Sequence, residues 1–288
     1  MSDDNKYVDE ATGTETMGHE WDGIQELDTP LPRWWLWTFY LCIIWGIGYT
    51  IAYPSWPMIS EAYSGILGYS SRAALVDTIE QQQAANASTD DLLVASSWEE
   101  IAAEPNLDSY AKAGGAAVFR TYCSQCHGAG AAGAVGYPNL IDDAWLWGGS
   151  HEAIAYTVTH GIRWEEDEDT RFSQMPAFGT DELLTSEEIG LVADHVLSLS
   201  GGGAATEEGA TLYADNCAAC HMDGGEGLPD LGAPNLSDAI WLYGGDRDTV
   251  IETIYYSRYG VMPNWSGRLS EAEIKAVAHY VHTLGGGE

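Results

Sequence analysis

Four of the five cysteines in this 288-residue chain lie in two copies of the pattern Cys-x-x-Cys-His. Two thiols at this spacing on a short helix can form thioether bonds to the two vinyl groups of one porphyrin. The adjoining His then reaches the iron. The sequence therefore predicts two covalently bound haem c groups, held by Cys123, Cys126 and His127 in the first copy and by Cys217, Cys220 and His221 in the second.

Three other uses of such cysteines fit less well. A zinc site needs four nitrogen or sulfur ligands at one point, and each copy supplies three. A thioredoxin-like pair would follow a strand in a βαβ pattern, and neither copy has such a strand before it. A disulfide is permitted in an exported domain, but it leaves the paired His unexplained.

Each iron either takes a second axial ligand or leaves that position open, and two methionines occupy equivalent places. Met175, followed by Pro176, lies 48 residues after His127, and Met262, followed by Pro263, lies 41 residues after His221. His/Met ligation closes the iron to substrate and raises its potential, which suits electron transfer. The rival histidine ligands do not recur clearly in both copies: His151, His160, His195, His279 and His282. Pairing within each copy is the default, but crossed pairing would satisfy both irons equally well.

The surroundings of the motifs repeat as well. AVFRTYCSQCH is matched by TLYADNCAACH, and residues 137–149 and 184–199 are matched by residues 233–245 and 269–284. Each copy thus contains a motif helix, a Pro-Asn-Leu loop, a helical middle, a Met-Pro loop and an amphipathic terminal helix. We expect both terminal helices to begin with a cap, at Thr185 or Ser186 and at Ser270, and to pack on a motif helix. The pattern is mainly α.

A charge-free run of twenty residues, 34–53, precedes these copies and would span about 30 Å as a helix. Residues 1–33 contain nine acidic and two basic residues, unlike the basic start of a cleaved signal peptide, so we expect an uncleaved anchor over residues 34–56. Because haem c is attached on the exported side, residues 1–33 should form a cytoplasmic tail. Residues 57–112 read as a helical periplasmic linker, 113–200 as the first cytochrome unit and 201–288 as the second.

The chain has 44 acidic and 11 basic residues, a net charge of −33 spread along its length. This composition excludes nucleic acid as a partner, since phosphate binding needs clustered Lys and Arg. The acidic surface has two interpretations, which are compatible: a self-repelling, salt-tolerant surface, or long-range attraction of a basic redox partner.

Two further matched pairs are weaker candidates. Trp145 and Trp241 could line a haem edge or bind a propionate, or could simply pack in the core. Arg163 and Arg258 could neutralise propionates or lie on the surface. The fifth cysteine, Cys42, lies inside the apolar run, where a small buried side chain is expected.

With these motifs in place, the chain resembles the diheme subunit III (CcoP type) of cbb(3)-type cytochrome c oxidases over nearly its whole length. The haem motifs alone indicate only a c-type cytochrome. The specific resemblance lies in PLPRWWLW at residues 30–37 and SQMPAFG at residues 173–179, supported by HEWDG, GYSSR and GIR at residues 19–23, 68–72 and 161–163.

The resemblance implies a fold and a task. It implies one N-terminal transmembrane helix in the bacterial inner membrane, followed by two tandem class I cytochrome c domains in the periplasm. Electrons would pass from a donor cytochrome c through both haems to a monohaem cytochrome subunit and then to the haem-copper subunit, where oxygen is reduced and protons are pumped. It assigns Cys123, Cys126, Cys217 and Cys220 as thioether sites, and His127, His221, Met175 and Met262 as axial ligands. The chain would have no catalytic site of its own.

The acidic insertion WEEDED at residues 164–169 departs from the family pattern. The insertion either makes the donor-binding surface differ from that of the family or is merely a solvated loop. Two other functions remain open from the residues: a diheme shuttle or cytochrome subunit of another membrane dehydrogenase, and a diheme peroxidase, which would need an open sixth position at one iron.

Overall fold

The computed structural model describes residues 6–287 and is mainly helical over that range. The chain separates into two compact units that divide between Ala85 and Asn86. The first unit contains the N-terminal segment and the apolar helix. The second contains both Cys-x-x-Cys-His motifs.

A β-hairpin begins the first unit, where the sequence analysis predicts only an acidic tail. Strand β1 (Thr16–Trp21) pairs antiparallel with β2 (Ile24–Leu27) around the dipeptide Asp22-Gly23. Both turn residues have positive φ, 52° and 83°, as a type I′ hairpin turn requires. The Asp-Gly dipeptide therefore determines where the chain reverses.

Helix α1 (Arg33–Ala52) covers the charge-free run, and none of its residues is buried within the described chain. This matches the predicted membrane helix at its start. The helix ends four residues before the predicted end of the anchor at residue 56, because Tyr53 precedes Pro54 and takes an extended conformation. One apolar helix long enough to span a membrane is thus present in the described part of the chain.

Three helices occupy the predicted linker: α2 (Ser71–Ala95), α3 (Trp98–Ala103) and α4 (Pro105–Val118). The region is helical from Ser71 onward, and residues 57–70 lie outside these helices. Helix α4 continues across residue 113, where the sequence analysis begins the first cytochrome unit. Leu93, Ile101, Leu107 and Ala111 from these helices form a buried cluster with Ala272 and Ala276.

The two motif regions have their α-helices in the same order, with α4 as the first α-helix of the first copy, although the first copy has a π-helical turn and the second a 3₁₀ turn. In the first copy, a π-helical turn (Phe119–Cys123) leads into α5 (Ser124–His127), α6 (His151–His160) and α7 (Ser186–Leu199). In the second, α8 (Glu207–Asn216) leads into α9 (Ala218–His221), a 3₁₀ turn (Pro229–Leu231), α10 (Arg247–Tyr256) and α11 (Glu271–His282).

The terminal helices α7 and α11 begin with the predicted capping boxes. Thr185 accepts a hydrogen bond from the backbone of Glu188 while the Glu188 carboxylate returns one to the cap, and Ser270 and Glu273 do the same. Each box satisfies two backbone N–H groups that the first turn of a helix leaves without partners.

The terminal helices pack on motif helices, but each packs on that of the other copy. In the first lobe, Phe119 and Ile154 share a buried core with Val277 and Val281 of α11. In the second lobe, the buried core combines residues of α7 with residues of α8 and α10: Ile189, Val192, Tyr213, Val250 and Ile254. The two copies have therefore exchanged their C-terminal segments.

Candidate haem sites

The two motif histidines have the same hydrogen-bond partner in both copies. His127 Nδ1 lies 3.1 Å from the carbonyl oxygen of Pro138, and His221 Nδ1 lies 3.0 Å from that of Pro234. Because a carbonyl only accepts, Nδ1 carries the proton and Nε2 keeps its lone pair. This is the arrangement in which a His presents Nε2 to a metal while a second partner fixes its ring.

Two glycines allow the proline carbonyls to approach the histidines so closely. Gly133 and Gly227 have φ of 68° and 78°, and their N–H groups donate to the carbonyls of His127 and His221 at 2.9 and 3.0 Å. A Cβ on Gly133 or Gly227 would lie 2.7 Å from the carbonyl carbon of Pro138 or Pro234 respectively. Side chains larger than hydrogen would push the prolines away from the imidazoles.

Burial also keeps both histidines neutral. Desolvation lowers the pKa of His127 and His221, and the hydrogen bonds to Pro138 and Pro234 oppose this effect only in part. His221 is 8% exposed. A neutral imidazole is the form that binds iron.

In each motif, the first thiol is partly buried and the second is exposed. Cys123 and Cys217 are partly buried, and burial raises the pKa of each to about 11, with a smaller contribution from the second thiol of the motif. Cys126 and Cys220 are exposed. Two free thiols beside an imidazole with a directed Nε2 match the chemistry of haem c attachment, so the residues present fit this group.

Each proposed distal methionine lies in the lobe that contains the Cys-x-x-Cys-His motif of the other copy. Met262 packs against the buried cluster that Cys123 and Trp145 also contact. Met175 packs against the cluster that Cys217 and Trp241 contact. Each methionine is therefore brought to the Cys-x-x-Cys-His motif of the other copy.

Backbone contacts hold both methionine segments in these positions. Met262 and Ile162 exchange hydrogen bonds at 2.9 and 3.0 Å, and Gly161 leaves room for the Met262 carbonyl. The Met175 carbonyl accepts a hydrogen bond from Ser257 Oγ, just after α10.

The matched tryptophans lie over matched glycines. A Cβ on Gly149 would lie 2.6 Å from the Trp145 ring, and one on Gly245 would lie 2.5 Å from the Trp241 ring. The Trp145 indole also donates to the carbonyl of Gly286. Both rings are thus fixed by close backbone packing beside the lobe cores.

The matched arginines bind backbone carbonyls. Arg163 donates to Ser173 O at 2.6 Å and to Gly260 O at 3.0 Å, which ties together the two chain segments that cross between the lobes. Arg258 donates to Thr249 O at 2.8 Å and lies 3.3 Å from the carboxylate of Glu252. Arg163 therefore links the two copies where they exchange, whereas Arg258 bonds to residues of helix α10 in its own copy.

His151, His279 and His282 contact one another away from the two motifs, whereas His195 lies against Tyr213, which packs with Cys217 of the second motif. His151 Nε2 lies 3.1 Å from His279 Nδ1, and His279 Nε2 lies 2.8 Å from Oδ1 of Asp108. The ring of His282 stacks on that of His151 with a centroid distance of 3.6 Å. His195 packs against the Tyr213 ring at 5.0 Å.

Part of the acidic insertion is anchored to the first lobe. Asp167 accepts a hydrogen bond of 3.0 Å from Asn264, two residues after Met262, and lies 3.2 Å from Nδ1 of His160. Its side chain is only 12% exposed. The insertion is therefore more than a solvated loop at this residue, while Glu165 and Glu168 beside it are exposed.

The roles of the proline carbonyls and of Gly133 and Gly227 were not predicted from the sequence. The signal was present, since Pro-Asn-Leu follows both motif histidines at similar distances and a glycine recurs before each loop. What the sequence alone does not show is that a backbone atom, rather than a side chain, fixes the imidazole.

Comparisons with known proteins identify the family to which the chain belongs. A family model described as cytochrome c oxidase, cbb3-type, subunit III matches residues 111–196 and 204–281. A second model, described as the N-terminal domain of cytochrome oxidase-cbb3, FixP, matches residues 13–60. The chain belongs to the subunit III family of cbb3-type cytochrome c oxidases.

Curated relatives extend the match over the whole chain. The chain is 59% identical to the cbb3-type cytochrome c oxidase subunit CcoP of Cereibacter sphaeroides, with 95% of each chain covered. It is 50% identical to the FixP subunit of Sinorhizobium medicae, with 100% of each chain covered.

Membership in this family establishes the cofactor and the general task. The subunit is a membrane-anchored diheme cytochrome that carries two covalently bound haem c groups. It acts in electron transfer within an oxidase complex. The predicted family, fold class and cofactor are thereby confirmed.

Proposed function

We propose that Cys123 and Cys126 bind the first haem c and that His127 is its proximal ligand. Cys217, Cys220 and His221 take the same roles at the second haem. The observation that carries this assignment is the hydrogen bond from each His Nδ1 to a proline carbonyl, which leaves Nε2 available to iron in both copies.

Met262 is the distal ligand of the first haem, and Met175 is the distal ligand of the second. The support is that each methionine packs on the lobe core of the other copy's motif. Backbone hydrogen bonds to Ile162 hold Met262, and the Ser257 hydroxyl donates to the carbonyl of Met175. The sequence units 113–200 and 201–288 each supply one motif to one lobe and one distal ligand to the other.

A haem c at each site supplies one-electron transfer. The two methionines close the sixth position against substrate, and the buried lobe cores exclude water. Cys126 and Cys220 are exposed thiols, so both would be accessible for covalent attachment of a haem. The sites are therefore suited to passing electrons between proteins.

Electrons enter from a donor cytochrome c and leave toward the monohaem cytochrome subunit and the haem-copper subunit of the oxidase. The names of the relatives support the second part, because they describe subunits of this oxidase. The net charge of −33 supports attraction of a basic donor.

Helix α1 crosses the bacterial inner membrane with residues 1–33 in the cytoplasm and the haem lobes in the periplasm. Two arguments support this orientation. Haem c attachment occurs on the exported side of the membrane, and Arg33 lies at the N-terminal end of α1, as the positive-inside rule favours.

Substitution of the methionines tests the crossed ligation. In a variant that keeps only the first haem, Cys217→Ala with Cys220→Ala, Met262→His should lower the potential of that haem, and Met175→His should not. In the reciprocal background, Cys123→Ala with Cys126→Ala, the two methionine variants should exchange their effects. Pairing within each copy would give the opposite result in both backgrounds.

Co-purification tests the partner assignment. The full chain should isolate with subunits that hold b-type haem and the haem-copper centre. Isolation as a free diheme protein from intact membranes would contradict it. Stoichiometric binding of carbon monoxide to the reduced subunit would contradict the closed sixth positions.

A further inference from the structure

The residues before the membrane helix form a small folded module, which we call the N-terminal module and define as residues 7–28. Beyond the β1–β2 hairpin, Thr16 N donates to Tyr7 O at 2.8 Å and Asp28 N donates to Glu15 O at 2.7 Å. A bridge between Val8 and Glu15 extends the pairing past β1. Neither the haem sites nor the membrane anchor needs this module.

The module exposes an apolar pair at one end. Trp21 and Ile24 are directly paired across the hairpin, so they lie on the same face of the sheet. Trp21 is 59% exposed and Ile24 is 71% exposed. A two-stranded hairpin is only marginally stable in water, so an apolar face of this kind gains stability when another surface covers it.

A short tether holds the module near the membrane. Six residue steps separate Leu27 from Arg33, the first residue of α1, and they include Pro30 and Pro32. At about 3.3 Å per residue, the tether spans at most roughly 20 Å. Any surface that covers Trp21 and Ile24 must therefore lie close to the membrane, beside α1.

The charge of the module excludes several such surfaces. The module, residues 7–28, contains seven acidic residues and no Lys or Arg, a net charge of −7. Anionic lipid headgroups repel this charge, and so does a second copy of the same module. A lipid surface and a self-association surface are therefore disfavoured.

Cytoplasmic loops of proteins that span the membrane several times have the opposite charge. They carry an excess of Lys and Arg within a short distance of the membrane. An acidic module with an exposed aromatic and aliphatic pair is complementary to such a loop, since charge would orient the contact and the apolar pair would anchor it.

We propose that the N-terminal module docks on a Lys/Arg-rich cytoplasmic loop of a multi-spanning membrane subunit of the oxidase. Trp21 and Ile24 provide the apolar anchor, and the surrounding carboxylates provide the charge. This inference rests on the proposed orientation and on the proposed place of the chain in the oxidase.

Cross-linking in the purified oxidase tests this docking. A photo-reactive residue placed at Ile24 should cross-link to a peptide from a basic cytoplasmic loop of a multi-spanning subunit. The matched control position is Glu10, which is exposed in the turn at the opposite end of the module, and it should give no such product. Cross-links from Ile24 to lipid alone, to a second copy of the chain, or to no partner would overturn the proposal.

A paired variant gives a second measure. Trp21→Ala with Ile24→Ala should weaken retention of the multi-spanning subunit during washing in detergent, and the haem spectra should not change. Val8→Ala, at the bridge to Glu15 outside β1, is the control and should retain the subunit as the wild type does. Equal retention by all three proteins would overturn the docking role.

The proposed place of the chain in the oxidase and the proposed docking of the module can be tested separately. If the wild-type chain isolates without any multi-spanning subunit, the proposed place in the oxidase is wrong. If it isolates with that subunit but Ile24 cross-links elsewhere, only the docking proposal is wrong.

Discussion

Ile162 and Met262 form a reciprocal pair of backbone hydrogen bonds, with N···O distances of 2.9 and 3.0 Å. Ile162 follows helix α6 of the first copy, whereas Met262 belongs to the second copy. The pair therefore lies at the point where the chain of one copy enters the lobe of the other. Each lobe is complete only when both copies contribute to it.

This exchange predicts that a cut between the copies leaves the lobes associated. A protease site inserted between Ala204 and Ala205, which are exposed, separates the two sequence units without cutting either lobe core. We expect both fragments, each with one haem, to elute together in size-exclusion chromatography under native conditions and to separate in denaturant. Separation under native conditions would show that each copy folds by itself.

Gly133 and Gly227, beside the motif histidines, should influence the reduction potential of the haem iron. Gly133→Ala or Gly227→Ala would displace a proline carbonyl from His Nδ1 and reduce electron donation by the imidazole, so the potential of the corresponding haem should rise. Alanine at positive φ also costs about 1–2 kcal/mol of folding free energy.

Redox titration of each variant measures this effect, and Gly130→Ala is the matched control. A Cβ on Gly130 meets no atom within 4 Å, and its φ is not in the left-handed region. An unchanged potential in Gly133→Ala would show that the carbonyl does not tune the first haem.

Met222 has a backbone conformation that a glycine, Gly128, adopts at the equivalent position of the first copy. Met222 has φ 64° and ψ 166° after α9, and Gly128 has φ 79° and ψ 155° after α5. This region is almost restricted to glycine, and Met222 is 44% exposed, so its side chain recovers little by burial. Met222→Gly should therefore raise the free energy of unfolding of the second lobe by about 1 kcal/mol.

Urea unfolding followed through haem absorbance measures this change. Met222→Ala removes the same side chain but keeps the strained conformation, so it should give no such gain. Stabilisation by alanine equal to that by glycine would assign the effect to the exposed side chain instead.

The histidine cluster on the first lobe should make folding sensitive to mild acid. Burial, followed by the charges of His282 and His279, lowers the pKa of His151 from 6.5 to about 4, although Glu152 and Glu99 act in the other direction. Between these two values the unfolded chain binds the proton more readily than the folded chain. The contribution of His151 to stability is therefore complete above pH 6.5 and is lost as the pH falls toward 4.

Two variants separate titration from packing at this position. His151→Phe keeps a ring to stack on Trp98, and His151→Gln keeps a polar group beside His279. Both should flatten the change in urea midpoint between pH 7 and pH 5, because neither side chain titrates. If only one of them does so, the loss comes from packing or hydrogen bonding.

Much of the haem sites could be predicted from the sequence because the relevant patterns are local. The Cys-x-x-Cys-His spacing, the recurrence of Met before Pro, and the caps at Thr185 and Ser270 each depend on a few neighbouring residues. The charge-free run that forms α1 is local in the same sense. These features require no knowledge of how distant segments pack.

The exchange of C-terminal segments could not be predicted, because the two copies present interchangeable surfaces. Helices α7 and α11 have the same apolar spacing and the same capping box, so either fits either motif helix by pattern alone. Long-range contacts such as Arg163 to Gly260 distinguish the two arrangements. The hairpin at Asp22-Gly23, by contrast, had a local signal that the acidic composition of the tail obscured.

The acidic insertion should influence the first haem through Asp167. Its carboxylate accepts a hydrogen bond of 3.0 Å from Asn264, which follows Met262 and Pro263 in the exchanged segment. Asp167→Asn keeps the size of the side chain but replaces an acceptor oxygen with a donor, so the hold on the methionine segment should loosen. We expect a weaker Met–iron absorption band and a lower potential at the first haem, with the second haem unchanged.

Glu168→Gln, which neutralises an exposed carboxylate in the same insertion, is the control for charge alone and should leave both potentials nearly unaltered. Equal shifts in the two variants would mean that the insertion acts on the haem only through its charge.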